Sequence, residues 1–163
     1  MEPPYRLAET DLLAACQVEA FRSRGPGGQH VNRTESAVRL THRASGVQVQ
    51  CQDHRERGRN LTEALRHLRL RLACQIRGGT QVEWATPWLR NGRFLIGAQA
   101  SAYAEVVAVA LDSLADQQGD LALAAARLGS SSSQLAKLLC ADKEVHQAAN
   151  AVRALHGKGA IRG

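Results

Sequence analysis

The chain has 163 residues, of which 44% are hydrophobic and 4% aromatic, so one domain, alone or with a small appendage, is expected around an aliphatic core. It has no apolar run of about 18 residues, which argues against a membrane-spanning helix, and its acidic start predicts no secretory signal. The four cysteines lack the close pairing of zinc ligands, so free thiols in a reducing cytoplasm and no metal or cofactor are expected.

The positive charge is concentrated in the first part of the chain. Residues 1–97 contain 15 arginines, no lysine and nine acidic residues, whereas residues 98–163 contain six basic and six acidic residues. Arginine suits bidentate contact with phosphates and stacking on bases, although a high genomic GC content also favours it. A polyanionic partner is therefore the leading inference from charge.

Alternating apolar residues predict a small sheet in this first part. Cys16, Val18 and Ala20 follow a period of two, which indicates a strand. The stretch AVRLTHRASGVQVQCQ, residues 37–52, predicts a hairpin that turns at Ser45-Gly46.

The apolar period becomes helical between Asp53 and Ile76. Two capping-box spacings, Asp53 with Glu56 and Asn60 with Glu63, leave the start of this helix open. A second stripe beside the apolar face consists of four arginines: Arg59, Arg66, Arg69 and Arg77. This stripe is either a solvated face or a surface for phosphate contact.

After Gly78-Gly79 a connector with one or two short strands is expected. The rest of the chain is rich in alanine, leucine and serine, and its apolar spacing predicts four helices. Their predicted ranges are 98–116, 120–128, 132–140 and 142–156.

A helix-turn-helix spacing lies within this helical part. Ala125, Gly129 and Leu135 take the small-residue, turn and core positions, and Ser131 or Ser132 is the expected cap of the second helix. Such a unit binds DNA in some proteins, but without net charge it is equally a docking module.

The segment SRGPGGQHVN, residues 23–32, surrounds one amide side chain with glycines. Glycine lets backbone N–H groups approach a ligand closely, and proline limits the freedom of the loop. Fixed backbone donors stabilise the oxyanion and the leaving oxygen of ester hydrolysis, and no nucleophilic side chain is needed when water attacks. A plain turn between a strand and a helix is the alternative for this stretch taken alone.

Gly27-Gly28-Gln29, followed by His30-Val31-Asn32, resembles the GGQ motif of class I peptide chain release factors. The likeness continues through residues 21–73, including Ser36-Ala37-Val38-Arg39 and Asn60. The expected fold class is α+β: a small mixed sheet with the GGQ loop and one long packing helix, followed by a small all-α, helix-turn-helix-like domain.

The resemblance implies hydrolysis of the ester of peptidyl-tRNA on the ribosome. Gln29 would offer its backbone N–H to the developing charge or the leaving ribose oxygen, and Gly27 and Gly28 would hold the loop that aims it. The implied partners are the ribosome with its large-subunit rRNA, the P-site peptidyl-tRNA and a glutamine methyltransferase that acts on Gln29. A cytoplasmic monomer without a membrane partner is expected.

Nine further residues are predicted to contact ribosomal or tRNA phosphates, and a solvated surface position is the alternative for each. They are Arg22, Arg24, His30, Asn32, Arg33, Arg39, Arg43, Arg59 and Arg66.

The chain departs from codon-reading release factors because it has no PxT-like or SPF-like tripeptide. It also departs from stand-alone rescue proteins, whose C-terminal tail is usually basic and disordered. Two domains are predicted, a hydrolytic domain with its connector over 1–97 and a helical domain over 98–163, acting in codon-independent ribosome rescue. The alternatives are a non-catalytic ribosome- or RNA-binding factor, and a nucleic-acid-binding helix-turn-helix protein that carries a GGQ domain.

Overall fold

The computed structural model describes residues 1–22 and 35–163, and its contacts divide the chain into two compact units, Met1–Leu72 and Ala73–Gly163. Each unit buries its own apolar side chains. The domain boundary predicted after residue 97 stays a prediction, because a division by contacts does not test which residues fold independently.

The first unit contains a three-stranded sheet and the long helix that packs on it. In chain order its elements are α1 (Glu9–Ala14), β1 (Cys16–Phe21), β2 (Ala37–His42), β3 (Gln48–Cys51) and α2 (Arg57–Gln75), the last of which runs into the second unit. The strand order is β1-β2-β3, and both pairings are antiparallel. The α+β class is thus confirmed, while the described strands form an antiparallel sheet where a mixed one was expected.

Strand β2 lies at the centre of the sheet and supplies much of its buried face. Val38, Leu40 and His42 are buried and alternate with half-buried neighbours, as the period of two predicts. The predicted hairpin is confirmed: the N–H of Gly46 donates to the carbonyl of His42 at 2.8 Å, and Gly46 has a φ of +71°. That backbone conformation favours glycine.

Helix α2 begins at Arg57, between the two starts that the capping boxes predicted. Glu56 therefore precedes the helix, and Asn60 lies inside it rather than at its cap. The side chains of Asn60, Ala64, Leu68 and Leu72 are fully buried at a spacing of four, so they form one continuous inner face.

The second unit contains a short hairpin followed by four helices. The hairpin pairs β4 (Leu89–Arg90) with β5 (Arg93–Phe94), and the helices are α3 (Tyr103–Asp116), α4 (Leu121–Arg127), α5 (Ser132–Cys140) and α6 (Lys143–Leu155). All four predicted helices are present, although α3 begins at Tyr103 instead of residue 98. The chain before α3 forms two turns instead. The N–H of Ala100 donates to the carbonyl of Gly97, and the N–H of Tyr103 donates to the carbonyl of Ala100.

Helix α3 is the centre of the second unit, and residues 106–114 are buried on every side of it. Helices α4, α5 and α6 all pack on α3. In the turn between α4 and α5, Gly129 has a φ of +73°, and the hydroxyl of Ser131 accepts the N–H of Gln134. Ser131, rather than Ser132, is therefore the cap. Among the described residues, no helix is both long and apolar enough to cross a bilayer.

Candidate functional site

The glycine segment that carries the predicted chemistry lies outside the described residues. This applies to the predicted catalytic residues Gly27, Gly28 and Gln29, and to four of the nine predicted RNA contacts: Arg24, His30, Asn32 and Arg33. The structure does describe both ends from which this segment starts, together with the five remaining arginines.

The two ends of the segment start from adjacent strands. Strands β1 and β2 pair antiparallel as far as Phe21 opposite Ala37, so residues 22 and 36 follow directly from the same end of the sheet. Arg22 forms an ion pair with Glu35 at 3.8 Å, and both side chains are more than half exposed. An exposed pair of this kind contributes at most about 1 kcal/mol, so backbone pairing is the main constraint here.

Asn60 anchors the chain just before β2. Its Nδ2 donates to the carbonyls of Ser36 and His54, both at 2.8 Å, while its Oδ1 accepts the N–H of His54 at 2.9 Å and the thiol of Cys51 at 3.5 Å. The fully buried amide is thus satisfied on both its donor and its acceptor side. Asn60 therefore fixes the backbone at Ser36, two residues beyond the undescribed segment.

Arg39 joins the two strands at the same end of the sheet. It lies opposite Glu19 in the register of β1 and β2, and its Nη1 is 3.3 Å from the Glu19 carboxylate. Its guanidinium carbon is 5.2 Å from the centre of the Phe21 ring, which is a cation–π distance. Arg39 is half-buried, so these contacts hold its charge beside the origin of the glycine segment.

Arg43 ties the far end of β2 to the turn between α1 and β1. Its Nη1 donates to the carbonyl of Ala14 at 2.8 Å, and its backbone N–H donates to Ala15 at 3.1 Å. Burial raises the pKa of the nearby Cys16 thiol, and the charge of Arg43 partly opposes that rise. A phosphate would have to compete with these contacts for Arg43.

Arg59 and Arg66 lie on α2 and pair with acidic residues three positions earlier. Arg59 is 3.4 Å from Glu56, and both side chains are more than two-thirds exposed. Arg66 is 3.0 Å from Glu63 and 2.9 Å from the Nε2 of His67, and it is less exposed. Arg59 is thus the more accessible of the two to an RNA phosphate.

The predicted arginine stripe, of which Arg77 lies just beyond the end of α2, is partly structural. Arg69 donates from Nη1 to the carbonyls of Tyr5 and Leu7, at 2.8 and 2.7 Å, and so holds the lead-in of the chain against the helix. Arg77 pairs at 3.1 Å with the buried carboxylate of Asp112. Arg69 and Arg77 therefore bind segments distant in the chain, whereas Arg59 and Arg66 pair with near neighbours and remain the candidates for phosphate contact.

The part of the chain that the structure describes contains no cluster of metal-binding side chains, and its buried cysteines are not activated as nucleophiles. No group of three His, Cys, Asp or Glu residues there has the arrangement of a metal site. Burial raises the pKa of both Cys16 and Cys51, which disfavours the reactive thiolate. The described residues thus form a support and a charged surface for the adjoining segment.

An antiparallel sheet that packs on one long helix and borders a glycine-rich segment defines this part of the chain as a small α+β domain. Residues 11–85 match the family model of the RF-1 domain. This confirms the resemblance to the GGQ-containing domain of peptide chain release factors, and the match includes Gly27-Gly28-Gln29.

The similar proteins include both peptide chain release factor 1 and peptide chain release factor 2. The chain is 57% identical over 56 residues to peptide chain release factor 1 of Dictyoglomus thermophilum, covering 34% of this chain and 15% of that protein. It is 46% identical over 71 residues to release factor 1 of Rhodospirillum rubrum, covering 44% and 19%. For release factor 2 of Sulfurimonas denitrificans the values are 54% over 56 residues, 34% and 15%. The chain thus spans less than a fifth of the length of these relatives.

Proposed function

We propose that this protein hydrolyses the ester of peptidyl-tRNA on the ribosome without reading a codon, as a rescue factor. Residues 1–97 form the hydrolytic domain in this proposal, and residues 98–163 form a separate helical domain. The large-subunit rRNA and the P-site peptidyl-tRNA are its partners. Gln29 presents its backbone N–H where charge develops, and Gly27 and Gly28 allow the close backbone approach.

The observation that carries this proposal is the RF-1 match over residues 11–85, which contains the whole GGQ motif. The described geometry supports it. Strand pairing up to Phe21 and Ala37, and the hydrogen bond from Asn60 to Ser36, fix both ends of the segment. A catalytic group that works through a backbone donor needs such support, because a small misplacement costs much of the rate.

The charged residues take a supporting role in this proposal. Arg22 and Arg59 are exposed although each forms an ion pair, and they are proposed to contact RNA phosphates directly. Breaking an exposed ion pair costs little, so a phosphate can replace the carboxylate. Arg24, His30, Asn32 and Arg33 are proposed to contact RNA on the glycine segment itself. Arg39, Arg43 and Arg66 are proposed to add positive potential from fixed positions.

The experiment is peptide release from ribosomes that carry a stop codon, a sense codon or no codon. Wild-type protein is expected to release peptide in all three cases. Gly28→Ala is expected to reduce release by about a hundredfold or more, in the range seen when an oxyanion donor is lost. Gly58→Ala is the matched control, because a Cβ at Gly58 meets nothing within 4 Å.

Each outcome separates one reading from another. Release at the stop codon alone would overturn codon independence. Equal release by wild type and Gly28→Ala would remove the glycine segment from catalysis. Ribosome binding without release by the wild type would favour the non-catalytic RNA-binding alternative. We also propose that a glutamine methyltransferase modifies Gln29, and mass spectrometry of the purified protein tests this.

A further inference from the structure

The β4–β5 hairpin carries two arginines in directly opposed positions. Arg90 pairs with Arg93 in the register, and both side chains are exposed. The adjoining pair, Leu89 and Phe94, is half-buried and turns to the opposite face, as alternation in a strand requires. The two guanidinium groups therefore extend from the same, outer face of the hairpin.

Neither arginine has an acidic partner among the described residues. Arg90 donates from Nη1 to the carbonyl of its neighbour Leu89 at 3.3 Å, and Arg93 has no ion pair within the described part of the chain. Like charges placed directly opposite each other destabilise an antiparallel pair. The repulsion between the two is therefore not relieved within this part of the protein.

The hairpin holds these charges in place despite their repulsion. Its two turn residues, Asn91 and Gly92, have φ values of +50° and +75°, which is the backbone of a tight hairpin turn. The hydroxyl of Ser130, between α4 and α5, donates to the carbonyl of Gly92 at 2.6 Å. A further backbone bond, from Leu95 to Trp88 at 2.7 Å, closes the hairpin at its base. These hydrogen bonds fix the backbone that carries Arg90 and Arg93.

We propose that the outer face of this hairpin, defined by Arg90 and Arg93, binds the phosphodiester backbone of RNA. Two neighbouring guanidinium groups each offer a fork of donors that fits phosphate oxygens, and a polyanion removes their mutual repulsion. The choice of RNA over another polyanion depends on the proposed ribosomal function. The face lies beyond the RF-1 match, which ends at residue 85, so it is a second contact surface.

The test measures binding of the full-length protein to labelled, unstructured RNA by fluorescence anisotropy over a range of salt concentrations. The logarithm of the affinity falls linearly with the logarithm of the salt concentration, and each lost phosphate contact reduces the magnitude of this slope by about 0.7 for single strands. R90A/R93A is therefore expected to reduce the magnitude of the slope by about 1.4. The control K143A/R162A removes the same charge from two other exposed positions of the second unit and is expected to leave the slope unchanged.

Further variants separate charge from geometry. R90K/R93K keeps both charges, so we expect it to keep the slope but to lose several-fold in affinity, because lysine lacks the bidentate fork. An equal change in slope for R90A/R93A and K143A/R162A would overturn the proposal, as would an unchanged slope for R90A/R93A. Competition by polyglutamate as effective as competition by RNA would also overturn it, in favour of an acidic protein partner.

This test can fail independently of the proposed hydrolysis. Gly28→Ala is expected to retain the full salt slope while it loses peptide release. A wild-type protein that releases no peptide, but whose RNA affinity depends on Arg90 and Arg93, would overturn the proposed hydrolysis and leave the hairpin surface standing. Peptide release with no dependence of RNA binding on the hairpin would do the reverse.

Discussion

The two compact units differ in the polar contacts that stabilise each of them internally. In the first unit, arginine side chains donate to backbone carbonyls of distant segments: Arg43 to Ala14, Arg69 to Tyr5 and Leu7, and Arg71 to Gln48. In the second unit, Arg153 donates to the carbonyls of Gly119 and Gly159, and small side chains cap the helices that surround α3, namely Asp120, Ser131 and Asp142. Much of the charge in the first unit is therefore used for folding.

This difference changes how the net charge of the chain is interpreted. The excess of arginine in residues 1–97 predicts a polyanionic partner, but several of those arginines bind their own chain. Arg90 and Arg93, which have no acidic partner among the described residues, lie in the second unit. Whether an arginine is available to a partner thus depends on its own contacts and cannot be inferred from the net charge of its segment.

The largest expected effect concerns the amide that supports the first unit. Asn60→Ala removes four hydrogen bonds and leaves the carbonyl of Ser36, two groups of His54 and the Cys51 thiol without this partner. Because buried polar groups without partners cost 1–3 kcal/mol each, we expect a loss of about 3 kcal/mol in the free energy of unfolding. Urea denaturation followed by circular dichroism measures it.

A matched change in the second unit gives the control. Asn150 accepts one backbone hydrogen bond, from Ile161 at 2.8 Å, so Asn150→Ala is expected to cost about 1 kcal/mol. Peptide release by Asn60→Ala, measured where the variant is still folded, is expected to fall because Ser36 is no longer fixed. Equal losses of stability for the two variants would show that Asn60 is not a special anchor.

Local pattern was enough to predict much of the fold. The alternation at Val38, Leu40 and His42, and the Ser45-Gly46 turn, predict β2 and its hairpin with β3, because strand burial repeats every two residues. The four helices of the second unit follow from apolar spacing in the same way. The cap at Ser131 was predicted as one of two candidates, since each serine has the side chain that a cap needs.

The supports of the candidate site could not be predicted in this way, because they join residues far apart in the chain. Asn60 bonds to Ser36, 24 positions away, and Arg69 bonds to Leu7 and Tyr5, 62 and 64 positions away. From local spacing alone, Asn60 is interpreted as part of a capping box, and Arg69 as part of a stripe that is either solvated or in contact with phosphates. The usable signal at Asn60 was a polar side chain on the apolar face of a helix, which needs a buried partner.

The second prediction separates arginines that fold the first unit from those that face solvent. Arg69→Ala removes two charge-assisted bonds to backbone carbonyls and is expected to cost about 2 kcal/mol in the free energy of unfolding. Arg59→Ala removes an exposed ion pair with Glu56 and is expected to change stability by less than about 0.5 kcal/mol.

RNA binding is expected to rank the same two variants in the opposite order. Arg59→Ala is expected to lower the affinity for RNA and to make that affinity less dependent on salt, because an exposed phosphate contact is lost. Folded Arg69→Ala is expected to keep both the affinity and its salt dependence. Anisotropy titrations at a temperature where both variants are folded make the comparison. A loss of RNA affinity in Arg69→Ala as large as that in Arg59→Ala would contradict the division of the arginines into two roles.

The smallest expected effect is a difference in pH dependence between the two units. Burial lowers the pKa of His42 from 6.5, so the unfolded chain binds this proton more readily than the folded one. The contribution of neutral His42 to the free energy of unfolding is therefore fully present above pH 6.5, and it is lost as the pH falls through the pKa of the folded state. His42→Gln is expected to flatten the decline in urea midpoint below pH 6.5.

Asp112 in the second unit has the opposite sign. Burial raises its pKa above 3.8, against the opposing effects of Arg77 and the N–H of Gly78, so the folded chain binds this proton more readily. Its stabilising contribution is therefore full below pH 3.8 and is lost as the pH rises through the folded pKa. Asp112→Asn removes this dependence, and His42→Gln leaves it intact. If either substitution altered the pH window assigned to the other, the two residues would not titrate as separate groups, each within its own unit.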